Sequence, residues 1–218
     1  KKIFGEMNGA VIAFSGGVDS SLLLFVGAGV LKDKMIAVTA DSVVRAEEDM
    51  RSASAVAKQL GVKHIVIHTK ELSDPRVKNN RELRCYYCKK KVFGVLKGIS
   101  KKMKLKEVCD GSNIDDNVQY RPGNKAKEEL GVRSPLAEAG FTKSDVRSVS
   151  KKIGLSTWDA PSRSCYLTRF PYNTSISAGD IERVKKTERC LENIFGFGVR
   201  ARVHGKLLRI EVPAERIN

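Results

Sequence analysis

A doubly wound parallel α/β sheet followed by a small α+β unit is the fold class that this 218-residue sequence predicts. Three observations carry that prediction. Apolar runs of strand length recur at 9–14, 35–39, 64–67 and 107–110, helical periodicity lies between the earlier ones, and the pattern changes character just beyond Pro161.

The first run, GAVIAF from Gly9 to Phe14, is followed by Ser15-Gly16-Gly17-Val18-Asp19-Ser20-Ser21 and then by Leu22 to Val26, which reads as strand, glycine turn, helix. Met35 to Thr39 is the second strand and ends at Ala40-Asp41-Ser42. Met50, Ala53, Val56, Ala57 and Leu60 then fall at helical spacing until Gly61 stops the helix. His64 to Ile67 is the third strand, and Glu107 to Asp110 is the fourth, ending at Gly111-Ser112-Asn113. Residues 117–140 are rich in turn formers and charge, so a loop with at most one short helix is expected there, lying over the strand ends. Thr142 and Asp145 form a helix-starting pair, Val146, Val149 and Ile153 share one face, and Gly154 ends that helix. The first domain is therefore assigned to residues 1–160 and the second unit to 161–218. In the latter, Ser177 and Asp180 start an amphipathic helix, and two alternating segments at 199–203 and 207–212 flank a turn at His204-Gly205-Lys206.

Composition narrows the function. With 41% hydrophobic and 30% charged residues and no apolar run of membrane length, the chain reads as globular and not membrane-spanning. Lys1 to Asn8 lack the apolar core of an export signal, so the cytoplasm is the expected location. Five cysteines, an odd count, then argue for reduced thiols over a disulfide framework. The formal charge is +15, and between Arg76 and Lys106 twelve Lys/Arg face one acid, Glu82. Such a stretch attracts polyanions or is simply a solvated helix face.

The turn Ser15 to Ser20 has the setting of a phosphate site. Its glycines let backbone approach an anion, amides at a helix start point toward it, and hydroxyls add donors. The Gly-x-x-x-x-Gly-Lys-Ser/Thr string is absent, which disfavours a simple kinase or GTPase. Asp19 inside an anion site makes sense if Mg²⁺ bridges it to the phosphates. The segment Phe14-Ser15-Gly16-Gly17-Val18-Asp19-Ser20 resembles the PP-loop of the ATP pyrophosphatase superfamily. That resemblance implies ATP cleaved between its α and β phosphates, an adenylylated intermediate, and its displacement by a nucleophile.

Cys85 and Cys88 form a Cys-x-x-Cys in Arg84-Cys85-Tyr86-Tyr87-Cys88-Lys89, which alone suits a zinc half-site, a redox pair or a cluster. Cys165 lies in a boundary loop between Arg163 and Arg169, charges that would favour its thiolate. Cys109 on a strand and Cys190 on a helix read as packing residues. No serine of a nucleophile elbow accompanies His64 or His68, which receive no role.

Four segments in order then narrow the resemblance: Asp110 to Asp116, Tyr120 to Gly123, Val132 to Gly140 and Cys165 to Tyr172. Together they are similar to the LarE family of ATP-dependent sulfur transferases, which serve synthesis of the nickel-pincer nucleotide cofactor. The family implies adenylylation of a carboxylate on a pyridinium dicarboxylate mononucleotide and its conversion to a thiocarboxylate. Some members sacrifice a single cysteine at the position of Cys165. This sequence instead is similar to members whose three cysteines, here Cys85, Cys88 and Cys165, hold a [4Fe-4S] cluster with one iron open to an extra sulfide. By the same resemblance Asp19 and Cys165 are catalytic, and Ser15, Gly16, Gly17, Ser20, Asp41, Ser42 and Gly111 surround ATP. Lys89, Arg169, Arg200, Arg202, Glu188 and Glu211 are implied at the mononucleotide. A sulfide donor and a homo-oligomer are also implied. Three rivals stay open: a PP-loop tRNA thiolation enzyme, a zinc-stabilised nucleotide- or RNA-binding module, and an ammonia-using synthetase.

Overall fold

A computed structural model describes residues 1–118 and 121–214. In chain order its helices are α1 (Lys2–Gly5), α2 (Val18–Leu31), α3 (Glu47–Gln59), α4 (Pro75–Lys78), α5 (Arg84–Lys102), α6 (Asp115–Val118), α7 (Gly123–Glu129), α8 (Pro135–Glu138), α9 (Lys143–Lys152) and α10 (Ala178–Phe195). The strands are β1 (Ala10–Ala13), β2 (Met35–Asp41), β3 (Lys63–His68), β4 (Glu107–Cys109), β5 (Arg200–His204) and β6 (Leu207–Glu211). Tyr120, one of the residues carrying the family resemblance, lies outside the described residues.

Two compact units result, one made of Lys1–Asp41, Glu47–Thr69 and Cys85–Ala160, the other of Ser42–Ala46, Lys70–Arg84 and the chain from Pro161 on. The first is built on a parallel sheet of order β3-β2-β1-β4. Alternation along its strands sends successive side chains to opposite layers. Ala10 and Ile12 of β1 pack with Leu22, Leu23 and Leu24 of α2 and Ala53, Val56 and Ala57 of α3. Val11, Ile36, Val38 and Val108 instead meet Phe93 and Leu96 of α5. Because both faces are covered, β1 and β2 carry near-continuous apolar runs in place of an alternating pattern. The order has a consequence for ligands. Chain progression runs from β1 toward β3 on one side and returns to β4 on the other, so a topological switch point falls between the carboxyl ends of β1 and β4.

The four strands and the parallel α/β class match the sequence expectation. One part differs from it. Residues 117–140, expected to hold at most one helix, take part in α6, α7 and α8. Each is a single turn or two, started by turn formers such as Pro122 and Pro135, so the composition that signals a loop also punctuates short helices. The lysine-rich stretch contains the nineteen-residue α5, whose Phe93 and Leu96 are buried while Lys91, Lys101 and Lys102 face solvent, the solvated helix face that the sequence allows.

In the second unit, α10 starts with a reciprocal capping box between Ser177 and Asp180, as the sequence predicts. Ile181 and Val184 of α10 are buried, as is Ala201 of the antiparallel β5–β6 ribbon. Asn80 contributes from the chain before α5, its Nδ2 donating to the carbonyls of Phe170 and Pro171 at 3.1 and 2.8 Å.

Candidate functional site

The turn after β1 reaches the switch point with its glycines under distinct constraints. Gly16 has φ +77°, and a Cβ there would sit 2.7 Å from both Ala53 N and Asp49 O of α3. Only glycine accepts both the left-handed backbone and the approach of a second helix. Gly17 caps α2 with φ −81°, and its added Cβ would meet nothing nearer than Ser15 Oγ at 3.5 Å. Nothing in the fold itself requires glycine at 17. Ser20 Oγ donates to Gly17 O at 3.0 Å and accepts the Ser15 amide at 3.3 Å, which curls the turn around the start of α2. Ser52 Oγ anchors Gly16 O at 2.9 Å.

From the other side of the switch point, Gly111 approaches so closely that an added Cβ would lie 2.8 Å from Ser20 N. That approach is held by a buried polar frame. Asp110 accepts from Ser112 Oγ at 2.7 Å and Ser134 Oγ at 2.6 Å, while the Lys127 ammonium donates to Ser112 Oγ at 2.9 Å. Asp19, on the first turn of α2, accepts Asn113 Nδ2 at 2.9 Å on one oxygen and the Lys143 ammonium on the other. The structure thus gathers Ser15, Gly16, Gly17, Asp19, Ser20 and Gly111 at one end of the sheet. Asp41 closes β2 and accepts a bond of 3.0 Å with His68 Nδ1, and Ser42 Oγ, the first residue of the second unit, accepts the Val44 amide at 3.3 Å. Sequence reasoning left out Asn113, Lys127 and Lys143. For Asn113 a signal existed, since it follows β4 directly at the switch point. Lys127 and Lys143 carry no local mark in a lysine-rich chain.

Cys85 and Cys88 stand one turn apart at the start of α5, with Cys85 exposed. Lys89 follows them, its stem so close over Gly123 that an added Cβ would meet Lys89 Cδ at 2.6 Å. Burial pushes the Lys89 ammonium below the usual lysine range, against the pull of Asp110. An anion arriving there would relieve the desolvation.

In the second unit Cys165 is exposed and sits directly before a short 3-10 turn, Tyr166–Arg169. Arg169 and Glu188 are brought together as a buried bidentate pair, with Nε to Oε1 at 2.7 Å and Nη2 to Oε2 at 3.1 Å. The Arg169 charge is therefore met by Glu188, which weakens the expectation that it acts on the Cys165 thiol. Arg200 and Arg202 share a face of β5, as alternation requires. Arg202 Nε lies 2.7 Å from Glu211 Oε1, and this bond first, with Arg209 after it, holds the Glu211 carboxyl below its ordinary range. Arg200 is the less committed of the two, with Nη2 3.4 Å from Ser162 O.

Of the cysteines read as packing residues, Cys109 is buried, and burial pushes its thiol up to about 12. Cys190 is exposed, which corrects that expectation: it lies on the solvent side of α10, whose core face carries Ile181 and Val184. No disulfide joins any of the five. Among the described residues no group of three His, Cys, Asp or Glu is gathered as a metal site, and no helix is long and apolar enough to cross a membrane. His64 Nε2 shares a 2.7 Å bond with Thr39 Oγ1 inside the sheet layer, a structural contact.

The NAD synthase family pattern matches residues 4–84, the span that contains the phosphate turn. An uncharacterized protein of Synechocystis is 39% identical over 217 residues, which cover 100% of this chain and 81% of that protein. The pyridinium-3,5-bisthiocarboxylic acid mononucleotide synthase of Lactiplantibacillus plantarum is 36% identical over 213 residues, covering 97% of this chain and 77% of that one. Among solved structures, NMN synthetase from Francisella tularensis has a TM-score of 0.59 at 18% identity, covering 84% of this chain and 78% of its own. The U34-tRNA thiolase NcsA from Methanococcus maripaludis, solved with its [4Fe-4S] cluster, has a TM-score of 0.54 at 16% identity, covering 85% and 67%. At those identities the two structures speak for the fold alone. The L. plantarum relative speaks for more, and the chain belongs to the LarE family, the ATP-using sulfur transferases of nickel-pincer nucleotide cofactor biosynthesis.

Proposed function

We propose that this protein adenylylates a carboxylate of pyridinium-3,5-biscarboxylate mononucleotide and replaces it with a thiocarboxylate, sulfur being delivered at Cys165. The observation that carries the reading is the turn at residues 15–20. It stands at the switch point with an acidic side chain, Asp19, on the first turn of α2, and with a glycine at 17 where the fold itself would accept a Cβ.

In that reading the amides of Gly16 and Gly17 and the hydroxyls of Ser15 and Ser20 hold the β and γ phosphates, with Gly111, Asp41 and Ser42 around the nucleoside. A substrate carboxylate oxygen attacks the α-phosphorus, and the bond to pyrophosphate breaks. A sulfur nucleophile then attacks the acyl carbon, forming C–S as C–O to AMP breaks. Asp19 suits Mg²⁺ by its donor chemistry: its carboxylate accepts from Asn113 and from the Lys143 ammonium, which already stands where a cation is needed. Lys89 and Arg200 retain capacity for the mononucleotide's anionic groups.

Cys85 and Cys88 fit two thiolate ligands of a [4Fe-4S] cluster, and Cys165 of the second unit would be the third. When bound, such a cluster supplies an open iron able to carry labile sulfide. The nucleotide domain would comprise residues 1–160 and the sulfur-transfer unit 161–218, in a cytoplasmic homo-oligomer served by a separate sulfide donor.

In Cys165→Ala, sulfur incorporation is expected to be lost while ATP-dependent pyrophosphate release largely persists. Product mass and pyrophosphate, measured on anaerobically purified protein with iron and sulfide analysis, check this. Full sulfur transfer by the variant would remove Cys165 from the chemistry, and stoichiometric zinc in colourless protein would favour the zinc-module reading. A second reading, tRNA thiolation, is favoured by the basic stretch from Arg76 to Lys106. It predicts that bulk tRNA binds in moderate salt and changes ATP consumption.

A further inference from the structure

The family resemblance assigns Arg169 and Glu188 to the substrate, yet the Arg169 fork is already filled. Its Nε and Nη2 engage both oxygens of Glu188, and the two side chains are 6% and 7% exposed. Its Nη1 donates to Ser164 Oγ at 2.7 Å and Thr168 Oγ1 at 3.0 Å. Glu188 Oε1 also accepts the Ala201 amide at 2.9 Å, which fastens the pair to β5. Phosphate recognition by arginine uses the same planar fork that Glu188 occupies, so binding a phosphate would require breaking an ion pair in the interior.

What Arg169 does reach is the chain on either side of Cys165. Ser164 precedes the cysteine. Thr168, three residues after it, donates to the Cys165 carbonyl through its amide at 3.0 Å and through Oγ1 at 2.8 Å. The hydroxyls of Ser164 and Thr168 are 3.1 Å apart, and Arg202 Nη1 holds Thr168 O at 2.8 Å. The turn bearing the exposed thiol is thus gripped from beneath by one buried cation.

We propose that Arg169 is a positioning residue and not a ligand of the substrate phosphate. Locked by Glu188, it clamps Ser164 and Thr168 and thereby fixes the presentation of the Cys165 thiol. A preset turn avoids ordering the reacting group at each turnover. This rests on the reading that Cys165 delivers sulfur.

The test compares Arg169→Lys, Thr168→Val and Thr168→Ser in the full chain. The threonine variants leave the buried Glu188 pair intact, so they test the clamp even if Arg169→Lys folds poorly. Three quantities are measured: alkylation of Cys165 by iodoacetamide in iron-free protein, resolved by peptide mass spectrometry against exposed Cys190; the dissociation constant of the dicarboxylate mononucleotide; and single-turnover sulfur transfer. Arg169→Lys and Thr168→Val are expected to shift the Cys165 rate, relative to Cys190, by about threefold or more. Sulfur transfer should fall about tenfold while mononucleotide affinity stays within about twofold. Thr168→Ser should restore wild-type behaviour. Weakened mononucleotide binding in Arg169→Lys with unaltered Cys165 alkylation would overturn the proposal, as would wild-type behaviour of Thr168→Val in every readout. Alkylation involves no sulfur transfer, so a failure of the Cys165 delivery reading, seen as an active Cys165→Ala, is distinguishable from a failure of the clamp.

Discussion

The phosphate turn of the first unit is shaped by backbone and by the absence of side chains, whereas the Cys165 turn of the second is shaped by buried charge. At residues 15–20 the decisive features are a left-handed glycine, a second glycine whose added Cβ would meet only Ser15 Oγ, and hydroxyl bonds to neighbouring carbonyls and amides. At residues 164–169 they are a guanidinium and a carboxylate, each removed from water and each serving several partners. The difference teaches where each site is fragile. The first can lose function at Gly17 without losing its fold, and the second should lose both together.

The largest effect expected from this contrast is at Glu188. Its replacement by alanine leaves the Arg169 cation buried and unpaired, and breaking one partner of a buried pair costs about 3–5 kcal/mol. Urea denaturation of Glu188→Ala against wild type measures it. A cost below about 1 kcal/mol would be the behaviour of a solvent-screened pair and would break the contrast.

Next in size is a pair of alanine substitutions at adjacent residues. Gly16→Ala meets both φ +77° and the backbone of α3 at 2.7 Å. Held in that backbone region alone, alanine costs about 1–3 kcal/mol, before the steric shift is added. Gly17→Ala meets neither obstacle, so its stability should stay within about 0.5 kcal/mol of wild type. Nucleotide affinity is another matter: obstructing one charge-assisted amide contact is worth about 1.5–3 kcal/mol, or about tenfold to a hundredfold in ATP binding. Thermal melts with and without ATP separate the two variants. Equal ATP affinity in Gly17→Ala and wild type would show that the space over Gly17 is not a phosphate seat.

The same contrast explains what was legible in the sequence. The strand runs could be read because burial on both faces forces continuous apolar residues, and the phosphate turn because backbone geometry demands glycine at fixed places. The roles of Arg169 and Glu188 could not. They are nineteen residues apart, and nothing in either local segment says whether a charge points at a ligand or at the other. Lys127 is hidden for a related reason. In a chain with 40 Lys/Arg, the one whose ammonium is buried against Ser112 and Ser134 looks like the rest until the fold is known. Residues 117–140 misled in the opposite sense, because prolines that break long helices also start short ones.

The smallest effect belongs to the element that sequence and structure describe alike, the capping box of α10. Ser177 Oγ accepts the Asp180 amide at 3.2 Å, and Asp180 Oδ2 accepts the Ser177 amide at 2.8 Å and its hydroxyl at 2.6 Å. Ser177→Ala should cost about 1 kcal/mol, the ordinary worth of an N-cap. Its pH dependence identifies the carboxylate's share. The bonds from Ser177, side chain first and backbone second, hold Asp180 below the usual aspartate range. A carboxyl depressed in the folded state lends stability that is complete above its unfolded value and fades as pH falls through the folded one. The difference between Ser177→Ala and wild type should therefore be full near neutrality and shrink on acidification below the normal aspartate range, as measured by urea melts across that interval. A difference independent of pH would assign the cap to the hydroxyl alone, and α10, like the phosphate turn, would then owe its start to local backbone bonding and nothing to charge.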